Sequence, residues 1–287
     1  MRKLLSVAAA SLAATLALAG CADGATTAEE TPTPDPTDAA PTDDAVELTE
    51  VVVGASPVPH ATILEFIRDN LAEDAGISIE IREFDDYVLP NQALNDGELD
   101  ANYFQHIPYF ESEVAEKGYE FEHGEGVHIE PLRVFSNTVS DPSEVEDGAT
   151  VAITNDVSNQ ARGLLLLQDA GLLDGITLES SVLELTEENN PKGLNFEETQ
   201  PEIVVQLIED PQVDLAVINA NFILTAGLNP DDAVFAEEVA GNPYANIVAW
   251  RTDNDNEGVA ILEELLHSAE VAEFIETTWP SGDVIPG

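Results

Sequence analysis

From residue 50 onward, short β-branched runs alternate with stretches of helical periodicity. That alternation restricts the chain to a parallel or mixed sheet covered by helices. Residues 50–55, Glu-Val-Val-Val-Gly-Ala, read as a buried strand, stopped by Ser56-Pro57-Val58-Pro59. Residues 61–74 place Ile63, Leu64, Phe66, Ile67 and Leu71 at helical spacing, with Gly76 just past the end. A strand is predicted at 77–81, short helices at 89–96 and 108–117, and a strand at 127–136 that leaves this unit. A second series follows: a strand at 150–153, helices at 158–170 and 199–209, and buried strands at 213–218 and 246–250. Helices at 257–267 and 269–278 close the chain. About 240 residues allow two lobes. Ligands then sit at the carboxyl ends of strands or between the lobes.

The first 45 residues stand outside this pattern. Met1-Arg2-Lys3 is a cationic start, and residues 4–19 are apolar or small. That run is too short for a comfortable span, which needs about 20 residues, and has the character of a secretory signal. It ends in Leu18-Ala19-Gly20-Cys21, the lipobox pattern of bacterial lipoproteins. Cleavage of residues 1–20 is expected to leave Cys21 as an acylated N-terminus, with at least two chains holding it in a membrane. Residues 21–45, rich in Pro, Thr, Asp and Glu, bury too little surface to order and form a tether. The body, from residue 46 onward, is expected outside the cytoplasmic membrane.

Charge excludes several functions. The chain has 57 acidic and 9 basic residues, a formal charge of −48. Nucleic-acid backbones and anionic lipid surfaces both require clustered Lys and Arg, so neither is a partner. The one Cys leaves no intrachain disulfide and no Cys-based zinc site. The acids are spread along the body, as on a solvated surface, and suit a high-salt medium that screens their repulsion.

Once the leader is removed, seven bases remain: Arg68, Arg82, Lys117, Arg133, Arg162, Lys192 and Arg251. Any anionic ligand draws its counter-charge from this set. Arg162 follows a predicted strand and lies near the start of a helix, where a cation opposes the macrodipole by roughly 0.3–1 kcal/mol. Beside free helix N–H groups, its fork suits a carboxylate, although pairing with a nearby acid on the surface explains the position equally well. Asn155, Asn159, Asn219, Asn221 and Asn246 cluster at strand ends, where they either form turns or meet both ends of a zwitterion. Tyr103, Phe104, His106 and Tyr109 concentrate rings within seven residues, and Tyr87 precedes them. Such rings pack a core, or enclose an apolar or thioether group at about 0.3–1.5 kcal/mol per contact.

Enzyme signatures are missing: neither Gly-x-Ser-x-Gly nor a P-loop occurs. The rival reading is a zinc or manganese receptor built on His106, His123 and His128, perhaps with His60 and a carboxylate. Its spacing matches no closed metal motif.

Several stretches together resemble the NLPA lipoprotein family. They are Phe84-Asp85-Asp86-Tyr87-Val88-Leu89-Pro90-Asn91, Gly97-Glu98-Leu99-Asp100-Ala101-Asn102-Tyr103-Phe104-Gln105-His106, Gly148-Ala149-Thr150-Val151-Ala152-Ile153-Thr154-Asn155-Asp156, Asn242-Pro243-Tyr244-Ala245-Asn246-Ile247 and the ending Ser281-Gly282-Asp283-Val284-Ile285-Pro286-Gly287. The resemblance covers about residues 49–287. It implies a two-lobe α/β fold like that of periplasmic binding proteins (type II-like), with a ligand cleft between lobes. Lobe 1 is expected at 46–137 and 246–287, and lobe 2 at 138–245.

The resemblance also implies roles. Tyr87, Phe104, His106 and Tyr109 would hold a thioether side chain. Arg162, with Asn159 beside it, would clamp an α-carboxylate, while Asn219 or Asn221, and Asn246, would supply amides. The expected ligand is L-methionine or a close amino acid or small peptide. The expected partners are an ABC permease and its cytoplasmic ATPase. A monomer without cofactor, resident metal or enzymatic activity is expected.

Overall fold

The computed structural model describes residues 48–287, so the expectations for the signal segment 1–20, Cys21 and the tether 21–45 fall outside the described residues. The first β-branched run forms β1 (Thr49–Ala55), whose inward side chains are fully buried. A helical turn at Pro57–Ala61 leads into α1 (Thr62–Asn70), which buries Ile63, Leu64 and Ile67. β2 (Ile77–Glu83) lies parallel to β1. α2 (Leu89–Asn95), β3 (Ala101–His106) and α3 (Ile107–Lys117) follow. Gly118 ends α3 at φ 73°, a left-handed conformation open to glycine at no steric cost. Two short strands, β4 (Phe121–His123) and β5 (His128–Ile129), complete this run.

The chain then changes sheet. The expected strand at 127–136 is divided by Pro131, which has no N–H for a ladder. β6 (Arg133–Phe135) pairs antiparallel with a strand of the second sheet, so the crossing falls at residues 130–132, earlier than the expected boundary at 137. The second sheet gains β7 (Thr150–Thr154), α4 (Val157–Asp169), β8 (Asn195–Thr199), α5 (Pro201–Val204), β9 (Leu215–Ile218), α6 (Ala220–Thr225) and β10 (Phe235–Ala236). β11 (Ala245–Arg251) returns to the first sheet, and α7 (Gly258–Leu266), α8 (Ala269–Thr278) and β12 (Ile285–Pro286) finish the chain.

The first sheet has the order β12-β5-β11-β3-β1-β2, with β4 also on β11. The second has the order β10-β6-β9-β7-β8. Each has its own core: Ile63, Leu64, Ile67 and Tyr103 belong to one, Ile153, Leu164, Leu167 and Leu215 to the other. A third apolar cluster joins Tyr87, Phe104 and Tyr109 from the first half with Ala216, Ile218 and Phe222 from the second. Residues Val46–Gly287 thus form one unit of two lobes in contact. Among the described residues no helix is long and apolar enough to cross a membrane.

Candidate functional site

Strand polarity gathers the polar residues between the two sheets. β1 and β3 run parallel and deliver His60, Phe104 and His106 from their carboxyl ends. β7 and β9 do the same in the second sheet, delivering Asn159 and Arg162 on α4 and Asn219 and Asn221 at the start of α6. The two crossings add Glu130, just after β5, and Asn246, near the start of β11. These residues line one cavity together with Tyr87, Gln105, Tyr109 and Ala220. All nine residues expected at the site, from Tyr87 to Asn246, therefore face the same space.

A buried lock of amides supports the β3 end. Asn102 Nδ2 donates to Asn91 Oδ1 at 2.8 Å, and Gln105 Nε2 donates to Asn91 Oδ1 and Asn102 Oδ1, both at 2.9 Å. Each amide oxygen and nitrogen satisfied in this way removes a desolvation cost of roughly 1–3 kcal/mol and fixes the strand end rigidly. The Asn91, Asn102 and Gln105 of the sequence motifs thus hold the wall of the cavity.

The rings follow. Tyr87 lies 6.0 Å from Phe104, 5.8 Å from Tyr109 and 5.1 Å from Phe222, centroid to centroid. Tyr109 O–H donates to the Tyr87 carbonyl at 2.9 Å, and Tyr87 O–H donates to Asn221 Oδ1 at 2.6 Å, tying the two lobes. His106 caps α3: its Nδ1 accepts from Tyr109 N at 3.1 Å, so Nε2 carries the proton and donates to Asn159 Oδ1, also at 3.1 Å. Burial, with the nearby charge of Arg162, drives the His106 pKa down to about 3, so the ring is neutral.

Arg162 is 3% exposed, so it is not the surface Arg that its position also permitted. Nε and Nη2 donate to Glu237 at 3.0 and 2.5 Å, Nη2 also donates to the Glu130 carbonyl at 2.8 Å, and Cζ lies 4.1 Å from the centroid of Tyr244. Nη1 meets no protein acceptor among the described residues. The helix start is less open than expected: Asp156 caps it, accepting from Asn159 N at 2.8 Å. The guanidinium, rather than the helix N–H groups, therefore leaves an unused donor at the cavity.

Sequence reasoning missed Gln105 and Glu130 as cavity residues and placed His60 only in the metal reading. Among 57 acids Glu130 carried no local signal, and the loop around His60 was uninformative. The four histidines of the metal reading do not converge. His123 bonds the Gly124 carbonyl at 2.6 Å and packs on Phe110, and His106 is held by Asn159. His60 and His128 do meet Glu130, with polar atoms within 4.8 Å of one another. There Tyr103 O–H donates to His128 Nδ1 at 2.5 Å, so His128 Nε2–H donates to Glu130 Oε1 at 2.8 Å. His60 Nε2 faces two acceptors, Asn246 Oδ1 at 3.0 Å and Glu130 Oε1 at 3.2 Å, and is likewise a donor. His128 Nε2 spends its proton on the carboxylate and His60 Nε2 spends its own on Asn246 Oδ1, which gives a hydrogen-bonded network in place of a coordination shell.

The comparisons with known proteins agree with this architecture. The chain is 39% identical over 245 residues to the methionine-binding lipoprotein MetQ of Bacillus subtilis (strain 168), covering 83% of this chain and 88% of that one. It is 35% identical over 239 residues to the D-methionine-binding lipoprotein MetQ of Escherichia coli (strain K12), covering 82% and 86%. The solved structure of a nutrient binding protein from Burkholderia cenocepacia bound to methionine superposes with a TM-score of 0.76 at 35% identity, covering 83% of this chain and 99% of that one. The model of the NlpA lipoprotein family matches residues 51–287. With nearly the whole described body matched, the chain belongs to the NlpA lipoprotein family.

Proposed function

We propose that this protein is the lipid-anchored, extracytoplasmic receptor of an ABC importer. It captures methionine, the L form or a close relative, and delivers it to a permease driven by a cytoplasmic ATPase. The observation that carries the reading is Arg162, buried in an interlobe cavity lined by aromatic rings, with Nη1 free of protein acceptors among the described residues. The methionine-binding names of the relatives and the methionine bound to the Burkholderia cenocepacia protein support the same ligand class.

The work is binding, with no bond made or broken. Arg162 takes the carboxylate, with Asn159 and Asn219 beside it. Tyr87, Phe104, His106 and Tyr109 enclose the side chain, whose burial contributes about 1.5–3 kcal/mol. Asn221 and Asn246 orient the remaining polar end. Because both lobes supply contacts, the ligand favours the closed arrangement by its better contacts there.

A thermal-shift screen of residues 46–287 against amino acids, dipeptides, Zn²⁺ and Mn²⁺ tests this reading. Ligand at 100 times Kd should add about 2.7 kcal/mol of stability. Arg162→Ala should abolish that shift while the variant still melts cooperatively. Normal methionine affinity in the variant, or stabilisation by metal alone, would overturn the assignment.

A further inference from the structure

We infer that Glu130 is the anchor for the ligand's ammonium group, held in position by His60 and His128, so that the site demands a free amine. This rests on the amino-acid reading above and specifies which end of the ligand is recognised by charge.

Glu130 has no basic side chain paired with it among the described residues other than two histidines. Three buried or partly buried acids feel the charge of Arg162: Glu237, Glu130 and Asp156, the last of them held by Thr154 and Asn159. Glu237 is matched by the fork of Arg162. Glu130 lines the cavity and is 6% exposed, yet its side-chain partners are two imidazoles and no Lys or Arg among the described residues. Burial drives the pKa of His60 down to about 4 and that of His128 to about 3, so both are neutral donors near pH 7. Neutral donors orient a carboxylate without cancelling its charge. A Lys or Arg in their place would satisfy Glu130 and leave nothing for a ligand to match. A buried carboxylate of this kind is costly unless a cation meets it.

A zwitterion fits both requirements at once. Its carboxylate meets Arg162 Nη1 and its ammonium meets Glu130. Asn246 Oδ1, which accepts from His60, offers the ammonium a second acceptor from the same cluster. His128 is oriented in turn by Tyr103, so the anchor is fixed from the core of the first lobe outward. The hydrogen-bonded array thus distinguishes an amino acid from an N-acylated one or a plain carboxylate.

The test compares L-methionine, N-acetyl-L-methionine and 4-(methylthio)butanoate by calorimetry on the purified protein. The wild type should prefer methionine over both analogues by about 100-fold or more. Glu130→Gln keeps the shape and both imidazole contacts but loses the charge. It should weaken methionine about 100-fold, change 4-(methylthio)butanoate little, and bring their affinity ratio toward unity. His60→Gln should lower that same ratio about tenfold, a readout that a merely structural role would not move. Should Glu130→Gln unfold, Glu130→Asp retains the charge one methylene further back and should lower the ratio in part. Equal wild-type affinity for methionine and 4-(methylthio)butanoate, or an unchanged ratio in a folded Glu130→Gln, would overturn the anchor. A wild type that binds no amino acid or dipeptide would instead overturn the receptor reading itself.

Discussion

Glu237 grips one edge of Arg162, Oε1 on Nε at 3.0 Å and Oε2 on Nη2 at 2.5 Å, and so decides which nitrogen is left for a ligand. Glu237 Oε2 also accepts from Leu132 N at 3.1 Å, on the crossing between the sheets. Burial works to raise the Glu237 pKa, but the Arg162 charge and its hydrogen bonds prevail and hold it below the usual value. Removing one partner of a buried pair costs about 3–5 kcal/mol, because the other charge is left behind. Glu237→Gln retains an acceptor for the guanidinium but no charge. Its ligand-free melting temperature should fall, while the further rise on adding methionine should exceed that of the wild type, since the ligand carboxylate restores the lost neutrality. Glu237→Ala loses the orientation as well, and both quantities should fall. Paired melting curves with and without ligand separate the two outcomes.

Acid should unfold the protein early. His60, His106 and His128 are buried and neutral, with folded pKa values of about 4, 3 and 3 against 6.5 when exposed. Well above pH 6.5 neither folded nor unfolded histidine is charged, and this contribution to stability is complete. As pH falls from 6.5 toward 4 and then 3, the unfolded chain takes up protons that the folded one refuses. Stability then drops by up to about 1.4 kcal/mol per pH unit for each histidine. Glu130 and Asp156, both raised by burial, oppose this, because their folded forms take up protons first. The net expectation is a falling melting temperature between pH 6.5 and 4, and His106→Gln should flatten the fall. A flat profile over that range would contradict the neutral-histidine assignment.

Much of the fold was legible because burial leaves a simple pattern. β1 and β9 are short apolar runs, and α4 shows its inward face as Leu164 and Leu167. β8 was not legible: Asn-Phe-Glu-Glu-Thr is an edge strand, largely exposed, and its stability comes from pairing with β7. α6 was hidden because Asn219-Ala220-Asn221 reads as a turn, although its amides face the cavity. The sheet change at Pro131 needed tertiary information, since either sheet could have taken the strand. At the site, rings and Arg162 stand out against a sequence poor in both. Glu130 differs from other acids only by what surrounds it, and that is a property of space alone.

Gly163 explains how closely α4 approaches its sheet. A Cβ there would lie 3.0 Å from both Ile153 Cδ1 and Val217 Cγ1, which belong to buried, sheet-bound side chains. Overpacking costs typically 1–3 kcal/mol, and the helix preference of Ala over Gly returns up to about 1 kcal/mol. Gly163→Ala should therefore lose about 1 kcal/mol. Because Arg162 is its neighbour, pushing the helix outward should also weaken methionine binding several-fold. A denaturation curve and one titration check both, and gain of stability would show that the sheet yields easily.

The acidic surface gives a prediction independent of the site. With 57 acidic and 9 basic residues, self-repulsion opposes the compact state, and it is screened over about 10 Å at 0.1 M salt but about 3 Å at 1 M. The melting temperature should rise by several degrees between 0.1 and 2 M NaCl. A salt-insensitive melting curve would remove the argument for a high-salt habitat.

Tyr87 joins two functions that substitution can separate. Its ring belongs to the apolar cluster shared by the lobes, and its O–H donates to Asn221 Oδ1 across them at 2.6 Å. Tyr87→Phe keeps the ring but leaves the Asn221 oxygen, on a residue 4% exposed, without that donor, at a cost of about 1–3 kcal/mol in the closed arrangement. Methionine affinity should fall about tenfold, with its preference over leucine unchanged, since the thioether still meets an aromatic face. Tyr87→Ala removes the ring as well, so that preference should also decline, by the 0.3–1.5 kcal/mol typical of about one sulfur–aromatic contact. Calorimetric titrations with methionine and leucine on both variants decide the matter. An equal loss of preference in Tyr87→Phe would place the hydroxyl, rather than the ring, in charge of side-chain selection.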